Sequence, residues 1–350
     1  MTRARILIVA YGRVPSDTPT PAETAATALR GELDIVALRG DGQAHQGRLG
    51  DTRIFRVQAG GIDGFARAVQ RQLEGEKYDA IHLCGPEGLC GSLPPIVVYD
   101  ASFVHADEGW VARHNRALAA AGHVIVPTPL AKERAAPKCR GSVLHLSPGV
   151  ALDQFDQDDG AADEALRILC LDAGQAGRDL NCLLDALPKL SRPYQLMLAG
   201  VDDASARLEL RKRVEERGLS ASVTVRGTPS TASTPALIAY ADVALSPMAA
   251  HDAFVHAALL PQPLLEYWAC GTPVVAPDFD GLRSLRGPDE DHIAYAAGDP
   301  ASLARAIEVA AAREGAPVAY EWARGSRGIS ATRRGLRTLY EHLRRKFSAL

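Results

Sequence analysis

Glu266 stands in the stretch LPQPLLEYWACGTPVVAP, residues 260–277. Two prolines precede a short apolar run, Gly271 ends it, and Pro273 leads straight into a Val-Val pair. Proline near the start and glycine just past the end mark a helix, and the apolar pair after it reads as a buried strand. A carboxylate near a helix start is favoured by the dipole, so Glu266 needs no ligand to explain it. The same carboxylate could accept two hydroxyl hydrogen bonds from a ribose, as acids do at the ends of strands in open α/β sheets. Arg178 poses the opposite problem. It lies in AGQAGRD, where another helix begins, and a cation there opposes the dipole. A residue held against local preference suits a bound anion, and Gly174 and Gly177 free the backbone beside it. The two glycines could equally make a plain strand-to-helix turn, since GQAG is not a G-x-G-x-x-G fingerprint.

Two further loops sit where ligands bind in such sheets. One is YGRVPSDTPT, carrying Gly12, after the first strand. The other is PMAAHDAFVHAALLPQP, carrying Asp252 and His256, which leads to the helix of Glu266. The run VVYDASFVHADEGW supplies Tyr99, Asp100 and His105 near a strand end, and His82 lies near another. Each of these could line a cleft, and each could be a hydrogen-bonded core residue.

The six cysteines, Cys84, Cys90, Cys139, Cys170, Cys182 and Cys270, include no C-x-x-C pair, which argues against a zinc or redox site. They read as reduced residues packed in apolar strands and helices. The formal net charge of -3 gives no general electrostatic case for nucleic acid. No apolar run has membrane-spanning length. The first apolar run is followed by a polar Pro-rich loop, so it reads as a strand and not a signal peptide. A cytoplasmic enzyme is the expectation.

Positioning these side chains requires a frame, and the apolar runs provide it. RILIVAY, ELDIVALR, TRIFRV, YDAIHLC, PIVVYD, HVIVPT and SVLHLSP alternate with helical patterns over 63–75, 108–121 and 128–136. Thr20-Pro21-Ala22-Glu23 fits a capping box with proline at the first helical position. The second half repeats the logic: ALRILCLD, YQLMLAG, ASVTVRG, ADVALSP, PVVAP and HIAYAAG alternate with helices at 204–217, 234–240 and 300–312. Near-continuous Val/Ile/Leu strands imply a mostly parallel sheet buried on both faces. Two Rossmann-like domains are expected, divided at the acidic loop SPGVALDQFDQDDGAADE. A basic amphipathic helix over 331–348 closes the chain, with Leu336, Leu339, Tyr340, Leu343 and Phe347 at helical spacing. Its apolar stripe reads either as a packing face or as a surface for a membrane or partner.

The order of these motifs resembles the nucleotide-sugar glycosyltransferases of the GT-B fold, the large retaining group often called family four or group 1. LLEYWACGTPVVAPDFDGL is similar to that family's LLEAMACGTPVVASxxGG. AGHVIVPTPLAKE, LHLSPGVALDQF, VTVRGTPS, LIAYADVALSPM and YEWAR…LYEHL match further family stretches in order. The resemblance covers most of the chain and is strongest over 123–315. It implies an acceptor domain at 1–153, a donor domain at 154–315, and helices at 316–350 that cross back to the first domain. In that picture the two domains face each other across a cleft.

The resemblance further implies a UDP-, GDP- or dTDP-sugar donor, no cofactor and no metal. Glu266 falls on the second acid of the family's E-x7-E motif and would hold the ribose. Arg178 approximates the phosphate-binding lysine, Asp252 or His256 would contact the sugar, and Asp100 or His105 would face the acceptor. The acceptor itself, a small molecule or a glycan, is not specified, and peripheral membrane contact and oligomerisation are left open. Three family positions are altered: the first acid of the motif is Ala258, the arginine partner near 173 is Ala173, and the first-domain histidine falls near Ala101 or Ser102. Retaining sugar transfer is the primary expectation. An inactive partner subunit and a sugar-nucleotide epimerase are the alternatives.

Overall fold

Ile6 to Ala10 of β1 (Arg5–Arg13) are all buried. A strand without a solvent face belongs inside a sheet covered on both sides. The computed structural model places it there, between β2 (Glu32–Leu38) and β5 (Ala80–Cys84), both parallel to it. The structure describes residues 4–14, 20–29, 32–40, 42–102, 109–152, 164–175, 177–230, 232–249, 262–284, 292–313, 320–321, 323, 325 and 328–347.

The chain divides into two units, Met1–Pro148 with Ile329–Leu350, and Gly149–Gly328. The first is built on an eight-stranded sheet of order β3-β4-β2-β1-β5-β6-β7-β8. Beyond β5 lie β6 (Ile96–Asp100), β7 (His123–Val126) and β8 (Ser142–His145). On the other side β4 (Thr52–Val57) is parallel to β2, while β3 (Gln46–Leu49) pairs antiparallel with β4. The sequence pattern offers no sign of β3. Its four residues alternate between exposed and half-buried, as suits an edge strand without an apolar run.

One face of this sheet is covered by α1 (Pro21–Ala28) and by the last helix, which we number α11 (Ile329–Phe347). The other helices of the unit are α2 (Ile62–Gly75), α3 (Trp110–Ala120) and α4 (Pro129–Ala135). The capping box is formed as expected: Glu23 N–H donates to the Thr20 hydroxyl at 3.2 Å, and Thr20 N–H donates to the Glu23 carboxylate at 2.8 Å. Leu336, Tyr340 and Leu343 of α11 are buried in the same core as Ile6 and Ile8, so the apolar stripe is a packing face within its own unit. His82 lies fully buried in that layer, beside Ile8 and Val98 on the neighbouring strands. A histidine in an apolar layer needs a partner. It has one in Tyr340, whose hydroxyl is 2.9 Å from His82 Nδ1.

The second unit holds six parallel strands in the order β11-β10-β9-β12-β13-β14. They are β9 (Leu166–Cys170), β10 (Tyr194–Leu198), β11 (Val223–Val225), β12 (Val243–Leu245), β13 (Val274–Pro277) and β14 (His292–Tyr295). Period-two alternation splits β9 between two cores. Ile168 and Cys170 pack with α5 (Leu180–Ala186), α6 (Ala204–Glu216) and α10 (Pro300–Ala311). Leu169 and Leu171 pack with α7 (Thr234–Ala239), α8 (Gln262–Ala269) and α9 (Asp280–Arg283).

Tyr340→Phe removes one hydroxyl and leaves the His82 ring nitrogen dry, at an expected cost of about 1–3 kcal/mol. Leu343→Ala should cost about 2–5 kcal/mol by leaving a cavity under α11. Denaturant unfolding measures both. Wild-type stability in Tyr340→Phe would mean that the buried histidine does not depend on this hydroxyl.

Candidate functional site

The second sheet changes direction between β9 and β12. From β9 the chain moves outward to β10 and β11, then returns to start β12 on the other side of β9. In open α/β sheets, the loops after two such strands diverge and leave a ligand crevice at their carboxyl ends. Here the two loops are tied to each other. Arg178 and Met248 form an antiparallel bridge. Ala249 N–H donates to Gly177 O at 2.8 Å, and Asp179 N–H donates to Pro247 O at 3.3 Å. Gly177 has φ +83°, a left-handed conformation that a side chain rarely adopts. Gly174 has a packing reason: a Cβ there would collide with the carbonyl oxygen of Gly200, so the loops after β9 and β10 meet backbone to backbone.

Arg178 is held from three directions. One terminal nitrogen forms an ion pair with Asp172 and also donates to Gln175 Oε1 at 3.3 Å, while the other donates to Ser246 Oγ at 3.2 Å. The Arg178 and Asp172 side chains are only 6% and 3% exposed. Burial raises the Asp172 carboxyl above the ordinary range, and the adjacent guanidinium opposes that rise. The arginine at the helix start is therefore already neutralised within the protein. Asp179, next in sequence, caps α5 by accepting Cys182 N–H at 3.0 Å.

Glu266 is 7% exposed on α8. Its acidity is pushed down, with a pKa of about 7, chiefly by burial. A hydrogen bond from the Gln262 side chain opposes that shift, and the charge of Asp172 adds to it. The following residue anchors the helix: the Tyr267 hydroxyl accepts Leu171 N–H at 2.9 Å and donates to Leu245 O at 3.5 Å. One hydroxyl thus joins α8 to the ends of both β9 and β12. Asp172, Ser246 and Tyr267 escaped sequence reasoning. The one available signal was an acid placed just after a buried strand and six residues before Arg178.

In the first unit Asp100 is turned inward at the end of β6. Its Oδ1 accepts Ser102 N–H at 2.9 Å, and its Oδ2 lies 3.8 Å from His82 Nε2. Burial, followed by the Asp100 charge, holds the Cys84 thiol well above its usual range. The Tyr99 hydroxyl meets His114 Nδ1 at 2.7 Å, and the His114 ring stacks on Trp110 at 4.6 Å. Burial and then Lys138 lower the His114 pKa to about 4. Gly12 lies in β1 where its register against β2 shifts, and a Cβ there would meet nothing within 4 Å. Site candidates His105, Asp252 and His256 lie outside the described residues. Among the described residues, no group of three or more His, Cys, Asp or Glu could hold a metal ion, and no helix is long and apolar enough to cross a membrane. A cavity of about 1010 Å³ opens at the amino ends of β1 and β2, lined in part by Arg5, Asp34 and Arg53. There Asp34 binds both arginines.

The Glu266 shift has a measurable consequence in the ligand-free protein. Its folded pKa of about 7 exceeds the ordinary 4.5. The stability contribution of the protonated acid is therefore complete below pH 4.5 and lost as pH rises through 7. Relative to Glu266→Gln, which does not titrate, wild type should lose on the order of 3 kcal/mol across that window. Denaturant unfolding at pH 5, 6, 7 and 8 gives the two curves. Parallel curves would show that this acid does not titrate from a buried site.

Residues 168–312 match the family model described as Glycosyl transferases group 1. A search by sequence against curated proteins finds no match. Sucrose-phosphate synthase from Thermosynechococcus elongatus superposes with TM-score 0.81 at 19% identity, covering 99% of this chain and 100% of that one. Anabaena HepE in complex with UDP and glucose gives 0.74 at 15% identity, covering 97% and 100%. The catalytic domain of starch synthase IV from Arabidopsis thaliana, bound to ADP and acarbose, gives 0.61 at 11% identity, covering all of both chains. The chain therefore has the GT-B fold, and residues 168–312 of its second unit are similar to the group 1 glycosyl transferases.

Proposed function

We propose that the protein transfers a sugar, with retention, from a nucleoside-diphosphate sugar held in the second unit. The observation that carries this reading is the tied pair of loops at the β9/β12 reversal, with Arg178 between them and Glu266 beside them. That is where an open parallel sheet takes a nucleotide, and the family match falls on the same unit. In this reading Glu266 accepts hydrogen bonds from the ribose hydroxyls. Arg178 and the backbone around Gly174 and Gly177 meet the diphosphate, whose charge must be stabilised as the glycosidic bond breaks. Asp252 or His256 contacts the sugar. Asp100 or His105 faces the acceptor, Gly12 near the end of β1 is a further donor-binding position, and transfer proceeds without a metal. UDP, GDP and dTDP sugars are the donors to try. HepE, solved with UDP-glucose, sets the first of them.

A thermal-shift screen of UDP, GDP, dTDP and ADP, each with and without a sugar, tests the reading directly. A ligand that binds only the folded state raises the melting temperature by mass action. The preferred donor should then be consumed when acceptors are supplied. Glu266→Ala should weaken nucleotide binding by about tenfold or more, as expected for the loss of one or two hydrogen bonds to a charged group. Binding without turnover, with activity appearing only beside a second subunit, would identify a partner protein instead. Interconversion of the donor with no acceptor present would identify an epimerase. Binding of none of these ligands would end the nucleotide-sugar reading.

A further inference from the structure

Arg178 is the one cation acting on Asp172 among the described residues. The groups facing Asp172 come from every element around it. Cys170 of β9 has its sulfur 3.8 Å from Oδ1. Arg178 comes from the same loop, and Glu266 and Tyr267 of α8 feel the Asp172 charge. Ser246, at the end of β12, shares Arg178 with it. A diphosphate arriving at this crevice meets an arginine whose charge is already engaged, with a second acid, Glu266, close by.

We propose that Asp172 is a counter-charge that the diphosphate must displace: the phosphates take Arg178 over, and the carboxylate left behind takes up a proton from solvent. The inference rests on the nucleotide-sugar reading of this site. Three observations support the exchange. Arg178 Nε has no hydrogen-bond partner among the described residues, so the guanidinium keeps a donor to spare. The loop that carries it contains Gly177 at φ +83°, a backbone that few residues could follow. Asp172 is sealed from water, so without Arg178 it would be an unpaired buried charge, which costs far more than a protonated acid. Burial already holds this carboxyl above its ordinary range with Arg178 beside it, and removing the arginine removes the main force that keeps it ionised.

The sign follows from linkage. A complex that binds one more proton than its parts tightens as pH falls, by about tenfold per pH unit while the full proton is taken up. Glu266 acts the other way below pH 7, because an ionised acid is the better ribose acceptor and would release a proton on binding. At pH 8 Glu266 is largely ionised before binding, so the Asp172 contribution stands nearly alone.

Calorimetric titration of the full chain at pH 8, in HEPES and in Tris, counts protons from the difference in apparent enthalpy between the buffers. UDP, GDP, dTDP and ADP are the probes, with the matching nucleosides as phosphate-free controls. Uptake close to one proton is expected for the diphosphate that binds, and none for its nucleoside. Asp172→Asn should bind the same diphosphate with uptake near zero and with no tightening as pH falls. Diphosphate binding without proton uptake in wild type overturns the proposal and leaves the nucleotide-sugar reading intact. Equal uptake in wild type and Asp172→Asn also overturns it, since the proton then goes elsewhere. Failure of every diphosphate to bind removes both. If Asp172→Asn does not fold, the wild-type contrast between diphosphate and nucleoside still decides.

Discussion

β9 and β12 lie side by side in the second sheet, yet the chain leaves them in opposite directions. The connections place α5 and α6 against one face of the sheet and α8 against the other. The loops at the two carboxyl ends cannot follow one path, so backbone polar groups are left at the divergence. Most of what distinguishes the site answers this constraint. The bridge between Arg178 and Met248 satisfies backbone on both loops, and the Tyr267 hydroxyl takes one group from each strand end.

The same place concentrates ionisable groups away from water. Asp172, Arg178 and Glu266 are all nearly sealed. A lone ion pair there would be neutral to stability at best, because desolvation offsets the attraction. A second acid beside it is unfavourable unless it holds a proton or gains a partner. Glu266 does the first in part, with a pKa of about 7, and its hydrogen bond from Gln262 works toward the second. Such an arrangement weakens the folded domain to keep polar groups ready for something else, a pattern typical of binding sites.

The first unit handles its buried polar groups differently. His82 sits in an apolar layer and meets the Tyr340 hydroxyl, from a helix 258 residues later in sequence. Asp100 is turned back to cap its own turn at Ser102. His114 is enclosed by Tyr99 and Trp110 and stays neutral well below the usual histidine range. These contacts join elements within the unit. His82, in the middle of β5, and Asp100, at the end of β6, lie 3.8 Å apart through His82 Nε2 and Asp100 Oδ2.

Local patterns in the amino-acid sequence determined the elements. Apolar runs marked the strands, Thr20 and Glu23 marked the start of α1, and the spacing of Leu336, Tyr340 and Leu343 marked the buried stripe of α11. The ordered stretch around Glu266 carried the resemblance to the group 1 glycosyl transferases, and the family match falls over the same residues. Strand β3 stayed hidden because an exposed edge strand needs no apolar run. Only the tertiary structure decided what each polar residue meets. Arg178 faces Asp172, Gly174 yields to the backbone of Gly200, and Tyr267 reaches two strand ends. Periodicity and capping act over a few residues, whereas these pairings depend on which strands lie adjacent and in what register. That information arises only when the sheet assembles.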